Sequence, residues 1–344
     1  MDLGVSRLKL KNLIAISKYI GRNLDLVQGA GGNTSVKDGR VLWVKASGLC
    51  LKDAGSRDIF VPVDYSSLTL ELARSDVETI TLETLPICES SKLRPSIETL
   101  LHAIMPHRYV IHVHSVNTIA NAVLQNGSDK LSQLLAGVNW AWVDYVRPGV
   151  PLARAFQMVM HSDLNVVVLA NHGLVLGGES TDQVLDLLNE LERRMNRPLR
   201  EPTKIKSSNL IELLKNTNYS LSKYSLVQYM AFDPVAISIA AKGPLYPDHI
   251  VFLGSGPMSI MSEIQLRGYL KKMNKKHVHD VIIVKGLGVL KHNSLGESAE
   301  EMLHCLANVI LRLKPEEKLR HLTDYEQSEI SGWDAEKFRQ ANQV

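Results

Sequence analysis

The chain has 344 residues, 45% hydrophobic and 22% charged, the balance of a packed soluble protein with room for two ordinary domains. Lys and Arg number 39 against 36 Asp and Glu, and a formal charge of +3 supplies no field that by itself implies a nucleic-acid partner. No stretch approaches the roughly 20 apolar residues needed to cross a bilayer, so neither a nucleic-acid nor a membrane partner is expected.

Apolar residues at helical spacing predict a helix over 7–22, with Leu13, Ile16 and Ile20 on one face and Gly21 placed to end it. The apolar run within it is one turn long and is soon followed by Lys18 and Arg22, which reads against a signal peptide. A glycine-rich turn follows, Gly29-Ala30-Gly31-Gly32-Asn33-Thr34-Ser35. Val41 to Val44 reads as a strand, Asp64 to Arg74 as a short strand and helix, and Ser96 to Met105 as a helix opening after Pro95. Tyr109 to His114 reads as a strand, Ile119 to Leu124 and Lys130 to Leu135 as helices, Asn165 to Leu169 as an apolar strand, and Thr181 to Met195 as an amphipathic helix. The stretch Arg197-Pro198-Leu199-Arg200-Glu201-Pro202 reads as a linker, so domains 1–200 and 201–344 are expected. Lys271, Lys272, Lys275 and Lys276 read as a solvated helix end. Three cysteines, Cys50, Cys88 and Cys305, form no paired framework; that usage points to a reducing compartment and a cytoplasmic protein.

The second half contains a candidate worn copy of part of the first. Val281 to Leu290 echoes Val166 to Val175, and each is followed by Gly-Glu-Ser (178–180 and 296–298) and an amphipathic helix. In this register Leu287 stands where His172 stands, so a real duplication predicts a second half without metal. Any strand, glycine turn and helix would look similar, and both readings stand at this point.

His112 and His114 lie two apart in Val110-Ile111-His112-Val113-His114, and a strand sends alternate side chains to one face, so both imidazoles can meet one ion while Val113 faces the core. His172, at the end of a buried strand, is the third candidate, and three neutral imidazoles are a common set for a catalytic zinc. His107, His161, His249, His277, His279 and His292 lie in polar or turn contexts and are poorer candidates. Glu98 falls in the first turn of its predicted helix, where an acid can simply complement the helix dipole. Beside a metal it could instead be a fourth ligand or a base, with His102 one turn on to hold it. The 29–35 loop could cradle an anion with its backbone N–H groups, but it is neither a Walker loop nor a dinucleotide fingerprint. Gly254-Ser255-Gly256-Pro257 is explained by an ordinary turn.

In order, Gly31-Gly32-Asn33-Thr34-Ser35, Ala46-Ser47-Gly48, Pro95-Ser96-Ile97-Glu98, His112-Val113-His114 and His172-Gly173 resemble the successive signatures of the class II aldolase and adducin family, over residues 7–196. The resemblance implies a three-layer α/β/α domain with a central, mostly antiparallel sheet; the linker and the internal echo add the expectation of a smaller α/β C-terminal domain, a candidate degenerate repeat. It implies a zinc ion, or another divalent metal, on His112, His114 and His172. Glu98 would be the catalytic acid-base group, and Asn33, Ser47, Gly48 and Ser96 would bind the donor phosphate. Several phosphate-using members carry a polar residue where this chain has Ile97, which puts one phosphate contact in doubt. Pro247 to Phe252 and Gly332 to Lys337 are similar to the tail of long members related to bifunctional rhamnulose-phosphate aldolase/dehydrogenases; a dehydrogenase domain like theirs is not expected within these residues.

The implied activity is a zinc-dependent aldolase-type lyase that cleaves a sugar phosphate or sugar acid through a metal-stabilised enediolate, acting on a small carbohydrate as a homo-oligomer. Glu98 would return a proton to that enediolate. In this family the acid that protonates the leaving fragment is often a tyrosine from a neighbouring subunit, and Tyr145 is a candidate by motif order. Epimerase, dehydratase and decarboxylase relatives share the metal site, so they remain open. The class-distant alternative is a non-catalytic adducin-like interaction module, and such heads tend to lack the histidines that this chain has.

Overall fold

The computed structural model describes residues 7–73, 93–200, 210–272 and 279–331. Cys88, Glu201, Pro202, Lys275, Lys276, His277 and the 332–337 segment, all singled out in the sequence, lie outside the described residues. The chain divides into two compact units. Among the described residues, one holds those from 7 to 122 together with 126–196; the other holds 123–125 together with those from 197 to 331.

The first unit runs α1 (Arg7–Gly21), β1 (Asn33–Asp38), β2 (Val41–Lys45), β3 (Phe60–Asp64), α2 (Tyr65–Ala73), α3 (Thr99–Ile104), β4 (Tyr109–Val113), α4 (Val116–Ala122), α5 (Gly127–Leu134), β5 (Trp140–Val143), α6 (Val150–Val159), β6 (Val166–Leu169), β7 (Gly173–Gly178) and α7 (Thr181–Met195). Its sheet has the order β3-β2-β1-β4-β7-β6-β5, antiparallel throughout except for the parallel β5–β6 pair.

Strand alternation splits the core into two layers around this sheet. Ile111 and Val113 of β4, with Val166, Val168, Leu174 and Leu176, face Leu13, Ile16 and Ile20 of α1 and Val184, Leu188 and Leu191 of α7. Val110, Val167, Leu169 and Val175 face the other way, against Leu100 and Leu101 of α3 and Leu152 and Phe156 of α6. Because the side-chain period of a strand is two, one residue of slip would exchange these faces, so the buried pattern fixes the register. The result is a three-layer α/β/α domain. Neither β5 nor α6 had a clear signal: the β5 side chains are mostly half-buried, and α6 depends on Pro151 in its first turn rather than on a polar N-cap.

The second unit runs α8 (Leu210–Leu214), β8 (Tyr219–Leu221), α9 (Ser225–Tyr229), α10 (Pro234–Ala240), α11 (Pro247–Leu253), β9 (Ser259–Met261), α12 (Glu263–Lys272), β10 (Val281–Val284), β11 (Gly288–His292), α13 (Glu297–Ile310) and α14 (Asp324–Ser331). Its sheet order is β8-β11-β10-β9. Position for position this follows β4-β7-β6-β5: an antiparallel pair, an antiparallel hairpin, then a parallel neighbour. The hairpins share their register, Leu169 opposite Gly173 in one and Val284 opposite Gly288 in the other. Each turn has one residue in the left-handed region, Asn171 (φ 53°) and Gly286 (φ 71°). Ala170 N donates to Val143 O of the parallel neighbour, and Lys285 N donates likewise to Met261 O, at 2.9 Å each.

The two Gly-Glu-Ser segments are not equivalent, however. Ser180 is the N-cap of α7 and accepts from Gln183 N, whereas the N-cap of α13 is Gly296 and Ser298 lies inside the helix. His249, expected in a polar or turn context, is buried in α11. Among the described residues no helix is long and apolar enough to cross a membrane.

Candidate metal and acid-base site

β4 carries the first two imidazoles. His112 shares its face with Val110, pairs across the ladder with Asn33 on one side and Val175 on the other, and is fully buried; His114 follows just past the strand end. Nδ1–H of His112 donates to Leu174 O at 3.1 Å, since a carbonyl can only accept. That anchors the ring through Nδ1 and turns Nε2 toward His114 and Glu98, the arrangement in which metal-ligating histidines are held. His112 Nε2 and His114 Nε2 are 3.0 Å apart.

His172 comes from the turn joining β6 to β7. Asn171 adopts φ 53°, a conformation that asparagine tolerates better than most residues, and His172 N donates back to Leu169 O at 3.1 Å. This tight reversal brings the His172 ring centroid to 5.0 Å from that of His112 and 5.2 Å from that of His114. Gly173 follows because nothing larger fits: a Cβ there would meet Val113 O at 2.4 Å and His112 Cε1 at 3.3 Å. Gly173→Ala is therefore expected to push β7 off β4, costing about 1–3 kcal/mol or more and loosening metal retention. A thermal midpoint with a metal assay on one preparation checks this, and unchanged values would refute the packing argument.

Glu98 lies elsewhere than its sequence position suggested. The helix opens at Thr99, three residues late, because Pro95 is held in a bridge to Ala46 while Thr99 N and Glu98 N turn back onto Ser96 O and Ser96 Oγ. Glu98 is thus the N-cap residue and makes no side-chain cap bond, so the dipole-complementing role in the first turn does not apply. Its Oε1 instead lies 3.2 Å from His112 Nε2 and 3.1 Å from His172 Nε2, and its Oε2 accepts from Asn33 Nδ2. Burial works to raise this carboxyl, but the charges and hydrogen bonds of His112 and His172 outweigh it and hold it well below the usual carboxylate range.

His102 does not hold Glu98 directly. It shares a 2.8 Å hydrogen bond with Ser35 Oγ, and burial pushes its imidazole down to about 3, which keeps it neutral.

One atom from each of Glu98, His112, His114 and His172 lies within 4.8 Å of the others, and all four residues are buried. Ligand atoms about 2.0–2.1 Å from a tetrahedral zinc sit roughly 3.3 Å apart, close to the 3.0–3.2 Å that separate His112 from His114 and Glu98 from His112 and His172. With Nε2 of His112 turned inward, the residues fit a divalent ion. The carboxylate beside it can ligate or move a proton.

The expected anion-binding residues gather at the same place in part. The Ala46–Pro95 bridge and the 2.8 Å bond from Ser47 N to Arg94 O lay the Ser47-Gly48 loop beside Ser96. Asn33, Thr34 and Ser35 belong to β1 and pair with β4, so the expected glycine-rich cradle shrinks to residues 29–32. Ile97 packs against the apolar core. Tyr145 lies just beyond β5, at the same end of the sheet as the His172 turn. Sequence reasoning missed Lys45, which is fully buried and donates to Ala30 O at 2.8 Å and Leu49 O at 2.7 Å. It ties the 29–32 loop to the 46–49 loop. A lysine closing an otherwise apolar strand was the available signal.

A three-layer α/β/α domain with three imidazoles at the ends of its central strands and the carboxylate of a helix N-cap residue beside them has the layout of the class II aldolase fold. The chain belongs to the class II aldolase and adducin family: the Class II Aldolase and Adducin N-terminal domain matches residues 11–197. It is 30% identical over 210 residues, 54% of this chain and 30% of its relative, to the uncharacterized oxidoreductase YuxG of Bacillus subtilis (strain 168). It is 33% identical over 109 residues, 27% of this chain and 52% of its relative, to methylthioribulose-1-phosphate dehydratase of Geobacillus kaustophilus (strain HTA426). The chain thus matches about a third and about half of the length of these two curated relatives. Among solved structures it is similar to the N-terminal class II aldolase domain of a conserved protein from Thermoplasma acidophilum, at 26% identity and a TM-score of 0.49, over 57% of this chain and 95% of that one.

Proposed function

We propose that this protein is a metal-dependent lyase that cleaves a carbon–carbon bond of a sugar phosphate or sugar acid, with His112, His114 and His172 holding zinc or a similar divalent ion. The observation that carries this reading is the Glu98 carboxylate, buried and turned onto two imidazoles instead of capping its helix. A bound divalent ion would polarise the substrate carbonyl and offset negative charge developing on its oxygen. Glu98 is the group placed to move a proton at the adjacent carbon. In this reading Ser47, Gly48 and Ser96, together with Asn33, would hold the anionic end of the donor; the Ala46–Pro95 bridge and the Ser47 N to Arg94 O bond keep the first two beside Ser96, and Lys45 fixes the loop that carries Ser47 and Gly48. The family's small-carbohydrate substrates and oligomeric assembly belong to this reading as well.

A dehydratase is the second reading, favoured by the 33% identity to methylthioribulose-1-phosphate dehydratase. Both reactions draw on the same acid-base group, so the products must separate them. Incubating the metal-loaded protein with a panel of ketose phosphates and sugar acids tests this. Two carbonyl fragments establish the lyase; a single dehydrated product establishes the dehydratase and overturns the lyase. An absence of turnover with every donor would leave the adducin-like module as the better account.

We also read the second unit as a degenerate repeat of the α3–α7 half of the first. Leu221 pairs with Leu290 as His112 pairs with Val175, so Leu221, Lys223 and Leu287 stand at the three imidazole positions. The expected metal content is therefore about one ion per chain, not two.

A further inference from the structure

Asn33 and Ser35 point from one face of β1, two residues apart, and each meets a side chain of the 98–102 segment. Asn33 Nδ2 donates to Glu98 Oε2 at 2.5 Å, and Ser35 Oγ bonds His102 Nδ1 at 2.8 Å. The spacing matches: two strand residues advance about 6.6 Å, and four helical residues advance about 6 Å. β1 and the start of α3 are thereby locked at two points, with Glu98 at the upper one. An ionised carboxylate has no hydrogen to give, so the amide nitrogen, not its oxygen, must face Glu98. That leaves Asn33 Oδ1 buried and without a hydrogen-bond partner. A buried acceptor left unsatisfied costs stability, which is a poor outcome for a residue kept for packing but an acceptable one for a residue kept to aim its neighbour.

The geometry points to Asn33 as the positioning residue of Glu98: by gripping Oε2 it turns Oε1 onto His112 and His172, with the Ser35–His102 contact holding the segment in register. Family resemblance assigns Asn33 to the donor's phosphate, whereas here its donor group is committed to the carboxylate. This inference rests on the metal-site reading above. Glu98 and Asn33 then act as one unit on the ion, and removing either should do the same damage.

The test titrates full-length, metal-free protein with Co2+ and follows the visible ligand-field band, for the wild type, Asn33→Ala, Glu98→Gln and the double variant. The expected result is Co2+ binding weakened about tenfold by each single change, with similar band changes, and a double variant no weaker than Glu98→Gln alone. A double variant about a hundredfold weaker, with the two effects multiplying, would overturn the proposal. So would an unchanged band in Asn33→Ala combined with lost binding of inorganic phosphate by calorimetry, which would make Asn33 an anion ligand. If Asn33→Ala melts below working temperature, Asn33→Ser serves in its place, because the shorter hydroxyl does not span to Glu98. A His112→Ala protein that binds Co2+ as the wild type does would bring down the metal site itself, and this inference with it.

Discussion

Glu98→Gln should leave the protein folded and metal-bound while slowing the chemical step by about 100-fold or more. Glutamine keeps the shape, and its amide oxygen can still accept from Asn33, so the contact that seats the side chain survives. Three imidazoles continue to hold the ion, with affinity reduced about tenfold. What glutamine lacks is an exchangeable proton of suitable acidity beside His112 and His172. The decisive measurements are bound metal, thermal midpoint and solvent-deuterium incorporation into the donor, all on one preparation. Complete loss of metal would recast Glu98 as an essential ligand. Undiminished deuterium exchange would remove it from the chemistry, and a fall in stability alone would return it to a structural role.

His112→Ala and His172→Ala are each expected to weaken metal binding by at least about a hundredfold, since outer partners of a ligand already cost 10–100-fold and a ligand itself costs no less. The two should differ in their structural effect. His112 is fully buried and bonded to Leu174 O, so its loss opens a cavity between β4 and β7 and strands a carbonyl, an added cost of about 1–3 kcal/mol. His172 lies in a turn, 6% exposed, and its truncation should cost less. Metal content by elemental analysis after dialysis, set against urea unfolding of the dialysed proteins, separates the two effects. Full metal retention in both variants would falsify the site as drawn.

The strands and helices with strong periodicity were legible in the sequence. Thr181 to Met195 is helical over the span its apolar stripe marks, and the i, i+2 spacing of His112 and His114 anticipated a shared direction. Glu98 was legible as a residue but not as a conformation: Pro95 suggests a helix start, yet the bridge from Pro95 to Ala46, nearly fifty residues earlier, postpones it. β5 and α6 were missed because half-buried side chains and a proline-initiated turn leave little period to read. Lys45 offered only the signal of a lysine closing an apolar strand; its role was not legible because its two acceptors are backbone carbonyls of loops, which have no sequence signature.

The ladder β1–β4–β7 has a consequence for the order in which the protein matures. The contacts on and beside it join distant stretches of chain: 65 residues separate Asn33 from Glu98, and 62 separate His112 from Leu174. Contacts of that span form only after large loops close, so they come late compared with local helices. On the ribosome, a chain that has emerged only as far as α5 owns two imidazoles and the carboxylate but not the third imidazole. The nascent protein can therefore complete this donor set only after β7 has been synthesised and has found β4, so capture of the ion would mark the end of folding of the first unit and could not guide its beginning.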